Sequence, residues 1–261
     1  MKAIAAHRHH RFAPVVLLAL ALLVTGVLYA AFSPSSAQAA AAPSEDDLTA
    51  GSNLFRANCS TCHGVDAAGR DGIAPSLIGV GAAAVDFQVS TGRMPMMANG
   101  AQAPSKVPIF TDEQIRQMAA WVASLGAGPS VPSDEAVDPA LGDAANGMEL
   151  FRTNCAMCHG SVGQGGALSQ GKYAPNLSES APRTIYEAMV TGPQSMPVFN
   201  DATITPEEKR DIIAYLDAQQ QGSPGGLTLG SLGPVAEGLW AWVIGIGLLI
   251  GAAVWIGAKS S

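Results

Sequence analysis

Five histidines occur in the chain, and only His63 and His159 lie beyond the first ten residues. Each closes a pentapeptide: Cys59-Ser60-Thr61-Cys62-His63 and Cys155-Ala156-Met157-Cys158-His159. Cys-x-x-Cys-His is the attachment signature of c-type haem. The cysteines would form thioethers to the porphyrin edge, and the histidine would ligate the iron from one face. All four cysteines fall within these motifs, so none remains for a disulfide elsewhere. With no third histidine in the body of the chain, a protein-derived sixth ligand points to methionine. A zinc site or a thiol redox pair is the competing reading of each motif. Zinc needs a tetrahedral set of Cys and His donors, and the duplicated context argues that each motif works alone.

Met94 and Met196 are the expected sixth ligands. Each precedes a proline in a loop well downstream of its motif. Met96 and Met97 stand beside the first and read as gap-filling core methionines. Met157 is inside an attachment motif, and Met189 falls on an expected helix. His/Met ligation raises a haem's reduction potential, which suits an electron carrier. The second ring nitrogen of each histidine needs a carbonyl to fix its tautomer. The Ala74-Pro75 and Ala174-Pro175 loops are the expected sources.

The motifs sit in a longer duplication. Gly51-x-x-Leu54-Phe55-Arg56-x-Asn58-Cys59 matches Gly147-x-x-Leu150-Phe151-Arg152-x-Asn154-Cys155. Ala74-Pro75-x-Leu77 matches Ala174-Pro175-x-Leu177, and Thr91-Gly92 with Met94-Pro95 matches Thr191-Gly192 with Met196-Pro197. A helix should close each copy. Thr111 and Gln114 form a capping box ahead of Ile115, Met118, Ala119 and Val122, and Thr205 and Glu208 do so ahead of Ile212, Ile213, Tyr215 and Leu216. Phe55, Trp121, Phe151 and Tyr215 read as packing residues of these helices. Strand signals are weak throughout.

Charged residues make up 13% of the chain, and mean hydropathy is +0.22. Two uncharged stretches, Ala13 to Phe32 and Gly238 to Ala258, are each long enough to cross a bilayer core. Lys2, Arg8 and Arg11 precede the first and Lys259 follows the second, which predicts both ends on the cytoplasmic side and the middle outside. The first stretch, followed by Ala37-Gln38-Ala39, reads either as a cleavable signal peptide or as a retained anchor. The second carries Trp240, Trp242 and Trp255 near its ends, as in interfacial belts. Its Gly247 and Gly251 suit close packing against another helix. Between Pro43 and Gly233, 20 acidic residues face 10 basic ones, a net charge of −10. That excludes a nucleic-acid footprint and permits steering toward a basic redox partner. No Ser/His/Asp set is available without a spare histidine, and no phosphate-binding loop is present.

The expected organisation is a signal or anchor with linker (1–42), a first haem domain (43–127), a linker (128–143), a second haem domain (144–222), a linker (223–234) and a transmembrane helix (235–258). The pattern Gly-x-x-Leu-Phe, Cys-x-x-Cys-His-Gly, Pro, Met-Pro and closing helix resembles class I cytochrome c, twice over. That implies an all-α fold of two tandem domains, each with one covalent haem c. The layout as a whole resembles the dihaem cytochrome c subunit of the actinobacterial cytochrome bcc quinol–cytochrome c reductase. The resemblance implies cytochrome b and a Rieske iron–sulfur protein as partners and an aa3-type oxidase as acceptor. It also implies a membrane location, with the haem domains on the outer face. A tethered dihaem donor of another oxidase (cbb3-type) or of a dehydrogenase is a second reading. A dihaem peroxidase is a third, disfavoured because both Met-Pro loops are intact.

Overall fold

The computed structural model describes residues 13–32, 43–98, 100–221 and 234–258. The chain divides into two units, one ending at Ala42 and one running from Pro43. In the first unit the described part is helix α1, Ala13–Phe32. Its charged flank (Lys2, Arg8, Arg11), the Ala37-Gln38-Ala39 segment and Lys259 lie outside the described residues.

The second unit begins with α2 (Glu45–Asn58), whose N-cap Ser44 forms a reciprocal capping box with Asp47. A short turn of helix, α3 (Ser60–His63), carries the first motif. Helix α4 (Gly81–Ser90) follows a glycine-rich loop. Helix α5 (Asp112–Ser124) closes the copy, and its Thr111–Gln114 capping box is formed as the sequence predicts. Ile115, Met118, Ala119 and Val122 are all buried, so the apolar period of α5 faces inward as expected.

The second copy repeats this order: α7 (Ala144–Asn154), α8 (Ala156–His159), α9 (Pro182–Thr191) and α10 (Pro206–Gln221). Thr205 and Glu208 cap α10 reciprocally. Its core joins Phe151, Ile185, Met189, Ile204, Ile212, Ile213, Tyr215 and Leu216. The only strands among the described residues are β1 (Gly166–Ala167) and β2 (Tyr173–Ala174), a two-residue antiparallel pair. The chain is therefore all-α, as expected.

Each copy is held by its first helix crossing its last, and a glycine sits at each crossing. A Cβ at Gly51 would collide with the Gln117 carbonyl of α5, and one at Gly147 with the Asp211 carbonyl of α10. This is why the two glycines recur at matched positions. The aromatic pairs lie on the same crossings, Phe55–Trp121 at 4.5 Å and Phe151–Tyr215 at 5.5 Å between ring centroids.

The linker at 128–143 is more structured than a spacer. It holds a helical turn, α6 (Asp134–Val137), capped by Ser133, and a 3-10 turn, Pro139–Leu141. Val137 packs on the second core. At the other end the Ala83 amide donates to the Pro129 carbonyl at 3.1 Å. Prolines and a capping serine shape this segment. Of the later linker, expected at 223–234, residues 223–233 lie outside the described residues, and Pro234 opens the last helix. Helix α11 (Pro234–Ala258) contains a 21-residue apolar span, Gly238–Ala258, long enough to cross a membrane. Trp240 and Trp242 are exposed near its start and Trp255 near its end.

Candidate functional site: two Cys-x-x-Cys-His centres

Both motifs are built alike. α2 ends at Cys59 and α7 at Cys155, and each chain then turns through one helical turn to its histidine. A glycine in the left-handed region follows each, Gly64 at φ +80° and Gly160 at φ +71°. His63 Nδ1 lies 2.9 Å from the Pro75 carbonyl oxygen and His159 Nδ1 lies 3.1 Å from that of Pro175. A carbonyl only accepts, so each Nδ1 carries the proton. Nε2 is then left with its lone pair for a metal. These are the carbonyls the sequence predicts. Sequence reasoning missed how the proline loops are held in reach. Gly69 and Gly165, at φ +85° and +80°, run against them, and a Cβ would strike Ser76 N at 2.5 Å or the Ala174 carbonyl at 2.6 Å. The signal was available, since both glycines stand six residues after their histidine.

Cys155, Cys158, His159 and Met196 line one crevice, with Phe151, Leu177, Met189 and Ile212 among its apolar walls. It encloses about 1190 Å³ of non-protein space, including its open mouth. In the first copy Cys59 packs on Phe55, Ala67 and Val122, and Met94 on Val89, Ile115 and Met118. Val85 packs on both of these clusters. Met97, expected as core, is 93% exposed, so that reading is corrected. The sequence lacked the information because Met96 and Met97 lie in an irregular segment with no period to assign a face. Met157 is likewise 93% exposed, and Met189 is buried in α9.

The local chemistry fits haem attachment better than thiol redox or zinc. Burial, with a smaller contribution from the neighbouring thiol, pushes Cys59 and Cys155 each up to about 11. A redox thiol requires the opposite, a depressed pKa. Burial also pulls the His159 ring below its ordinary value, against the Pro175 hydrogen bond, which favours the neutral imidazole that ligates metals. Among the described residues no three His, Cys, Asp or Glu converge as a metal cluster, so the two motifs do not combine into a zinc site. A flat apolar macrocycle fits a slot with two cysteines at one edge, an oriented histidine and a methionine on its lining.

Residues 46–122 and 142–216 match the family described as "Cytochrome C oxidase, cbb3-type, subunit III". The full length is similar to the "Cytochrome bc1 complex cytochrome c subunit" of Corynebacterium diphtheriae, at 44% identity over 93% of this chain and 92% of that one. The protein of the same name from Mycobacterium tuberculosis is 47% identical over 94% and 90%. The chain belongs to the family of cytochrome c subunits of the cytochrome bc1 complex. Similarity to the "Cbb3-type cytochrome c oxidase subunit FixP" of Sinorhizobium medicae is narrower, 32% identity over 51% of this chain and 45% of that one. The cbb3 likeness is thus one of haem domains, and the bc1 likeness is one of whole chains. Two haem-c domains and the C-terminal apolar helix are common ground with the family reading.

Proposed function

We propose that this chain is the electron-transfer subunit of a respiratory bc1-type quinol–cytochrome c reductase. It would take electrons from a Rieske iron–sulfur subunit and pass them toward an aa3-type oxidase, with cytochrome b as a further partner. In this reading α11 anchors it and the haem domains stand on the extracytoplasmic face. The observation that carries the reading is the duplicated centre, in which each motif histidine is oriented by a proline carbonyl within a chain similar over its whole length to bc1 subunits.

When bound, each haem supplies a one-electron couple. The residues do the rest. Cys59, Cys62, Cys155 and Cys158 hold the two groups covalently. His63 and His159 present Nε2, their tautomer fixed through Nδ1. Met94 and Met196 would supply thioether ligands to the two irons, a donor that would favour the reduced state. Apolar walls line the second centre. Among the described residues no group is placed to break a substrate bond, and in this reading quinol oxidation belongs to the partner subunits.

The test is to tag the C-terminus, extract in mild detergent and add a quinol. Rapid reduction of c haems, with b-haem bands co-purifying, is expected. Oxidised c haems with no b haem would overturn the reductase assignment.

A further inference from the structure

The crevice of the second copy is not built by that copy alone. Phe87 of α4, and Arg93 and Gln102 from the loop after it, also line it. The grip is specific. Gln102 Nε2 donates to the Tyr173 carbonyl at 2.9 Å, and the Tyr173 amide donates back to Gln102 Oε1 at 2.9 Å. This is the pairing a third strand would make with β2. The next amide, of buried Ala103, donates to Gln194 Oε1 at 3.4 Å. Tyr173 stands two residues before Pro175, the carbonyl that orients His159. Gln194 stands two residues before Met196. Two consecutive first-copy residues therefore tie both ligand-bearing walls of the second crevice. A third tie, Arg183 Nε to Asp86 Oδ2 at 3.0 Å, joins α9 to α4.

The Gln102 and Ala103 contacts come from lengths of loop the repeat does not share. His63 and Pro75 are 12 residues apart, while His159 and Pro175 are 16 apart. The extra length forms the hairpin carrying Tyr173. Met94 and Thr111 are 17 positions apart, and Met196 and Thr205 are 9 apart. The extra length of the first copy carries Gln102 and Ala103. Each insertion thus meets the other copy.

Arg93 is the one cation among the crevice-lining residues. Its guanidinium sits over the Phe87 ring, 4.8 Å from the centroid, and it directly precedes Met94. An arginine does not lose its charge at any working pH. A fixed positive charge at the edge of a low-dielectric redox site stabilises the form holding one more electron.

We propose that Arg93 is a positioning residue of the second haem centre supplied by the first domain, where its charge raises the reduction potential of the second haem. The proposal rests on the haem reading above. It also sets the Met94 loop against the edge of the second centre.

The test is a redox titration of the full chain in its membrane complex, followed by c-haem absorbance. Met196→His is introduced first, to move the second haem's wave to low potential and so label it. If no wave moves, the ligand reading itself fails. In that background Arg93→Gln should lower the labelled wave by roughly threefold or more in the oxidised-to-reduced ratio at fixed potential, about 28 mV for one electron. Arg93→Lys should restore most of it. Gln102→Glu, which adds a negative charge at the same rim, should lower the same wave, and it carries the test if Arg93→Gln fails to fold. A labelled wave that stays put in the Arg93 and Gln102 variants, a shift confined to the other wave, or Lys behaving as Gln would overturn the proposal.

Discussion

Glu187 gives a pH dependence that can be worked from the structure. Its carboxyl lies on α9, fully buried at 0% exposure. Burial is the main cause that pushes its pKa from 4.5 up to about 9, with the hydrogen bond its protonated carboxyl donates to Asp86 and that group's negative charge adding to it. Arg183 opposes, with Nε 3.3 Å from Glu187 Oε1, but it is half exposed and shared with Asp86. Between pH 4.5 and about 9 the folded chain keeps a proton that the unfolded chain has lost. The native state then binds more protons, so stability is fully present below 4.5 and falls as pH rises. At about 1.4 kcal/mol per pH unit, the loss between pH 4.5 and 7 is about 3 kcal/mol.

Glu187→Gln keeps the shape and removes the titration. Near pH 5 the variant and the parent should unfold within about 1 kcal/mol of each other, because both side chains are then neutral in the folded state. At pH 8 the variant should be more stable by about 3 kcal/mol or more. The assay is guanidinium unfolding of the haem-loaded chain in detergent at pH 5, 6, 7 and 8, read by far-UV circular dichroism. A parent whose stability does not fall over this range would refute the reasoning. So would a variant that keeps the parent's slope, because the slope would then belong to other groups.

Gly147→Ala and Gly51→Ala should each destabilise their own copy by about 1–3 kcal/mol through the helix-crossing clash, read as a lowered denaturant midpoint with haem content intact. Lys209 is 0% exposed, with Nζ 2.7 Å from Asp201 Oδ1 and 2.6 Å from the Ile204 carbonyl. Lys209→Ala should cost about 3 kcal/mol by leaving a void and a buried carbonyl unpaired, and Lys209→Met should cost less because it fills the space. Met94→His should lower the potential of one c haem in a redox titration, and Met97→Leu should move neither, since Met97 projects into solvent.

What the chain shows of itself depends on how far apart the cooperating residues are. The capping boxes, the closing-helix stripes and the Cys-x-x-Cys-His turns are written within a few residues, where helical period and spacing decide the geometry. The His–carbonyl bonds span 12 and 16 residues and were still legible, because the duplication showed one Ala-Pro twice. The duplication gives no help where the copies differ. Gln102 meets Tyr173 across 71 positions and Ala103 meets Gln194 across 91, through segments with no counterpart in the other copy. Glu187 and Lys209 lie on helices where charge ordinarily marks the wet face, and only tertiary packing buries them. Both are ionisable groups inside a core, where an unpaired charge is costly. Glu187 meets that cost by holding its proton, and Lys209 by reaching the Asp201 carboxylate at the rim. The repeat therefore explains how each centre is made, and its exceptions explain how the two centres are joined. If the copies had kept identical loops, Gln102 and Tyr173 would not exist as partners.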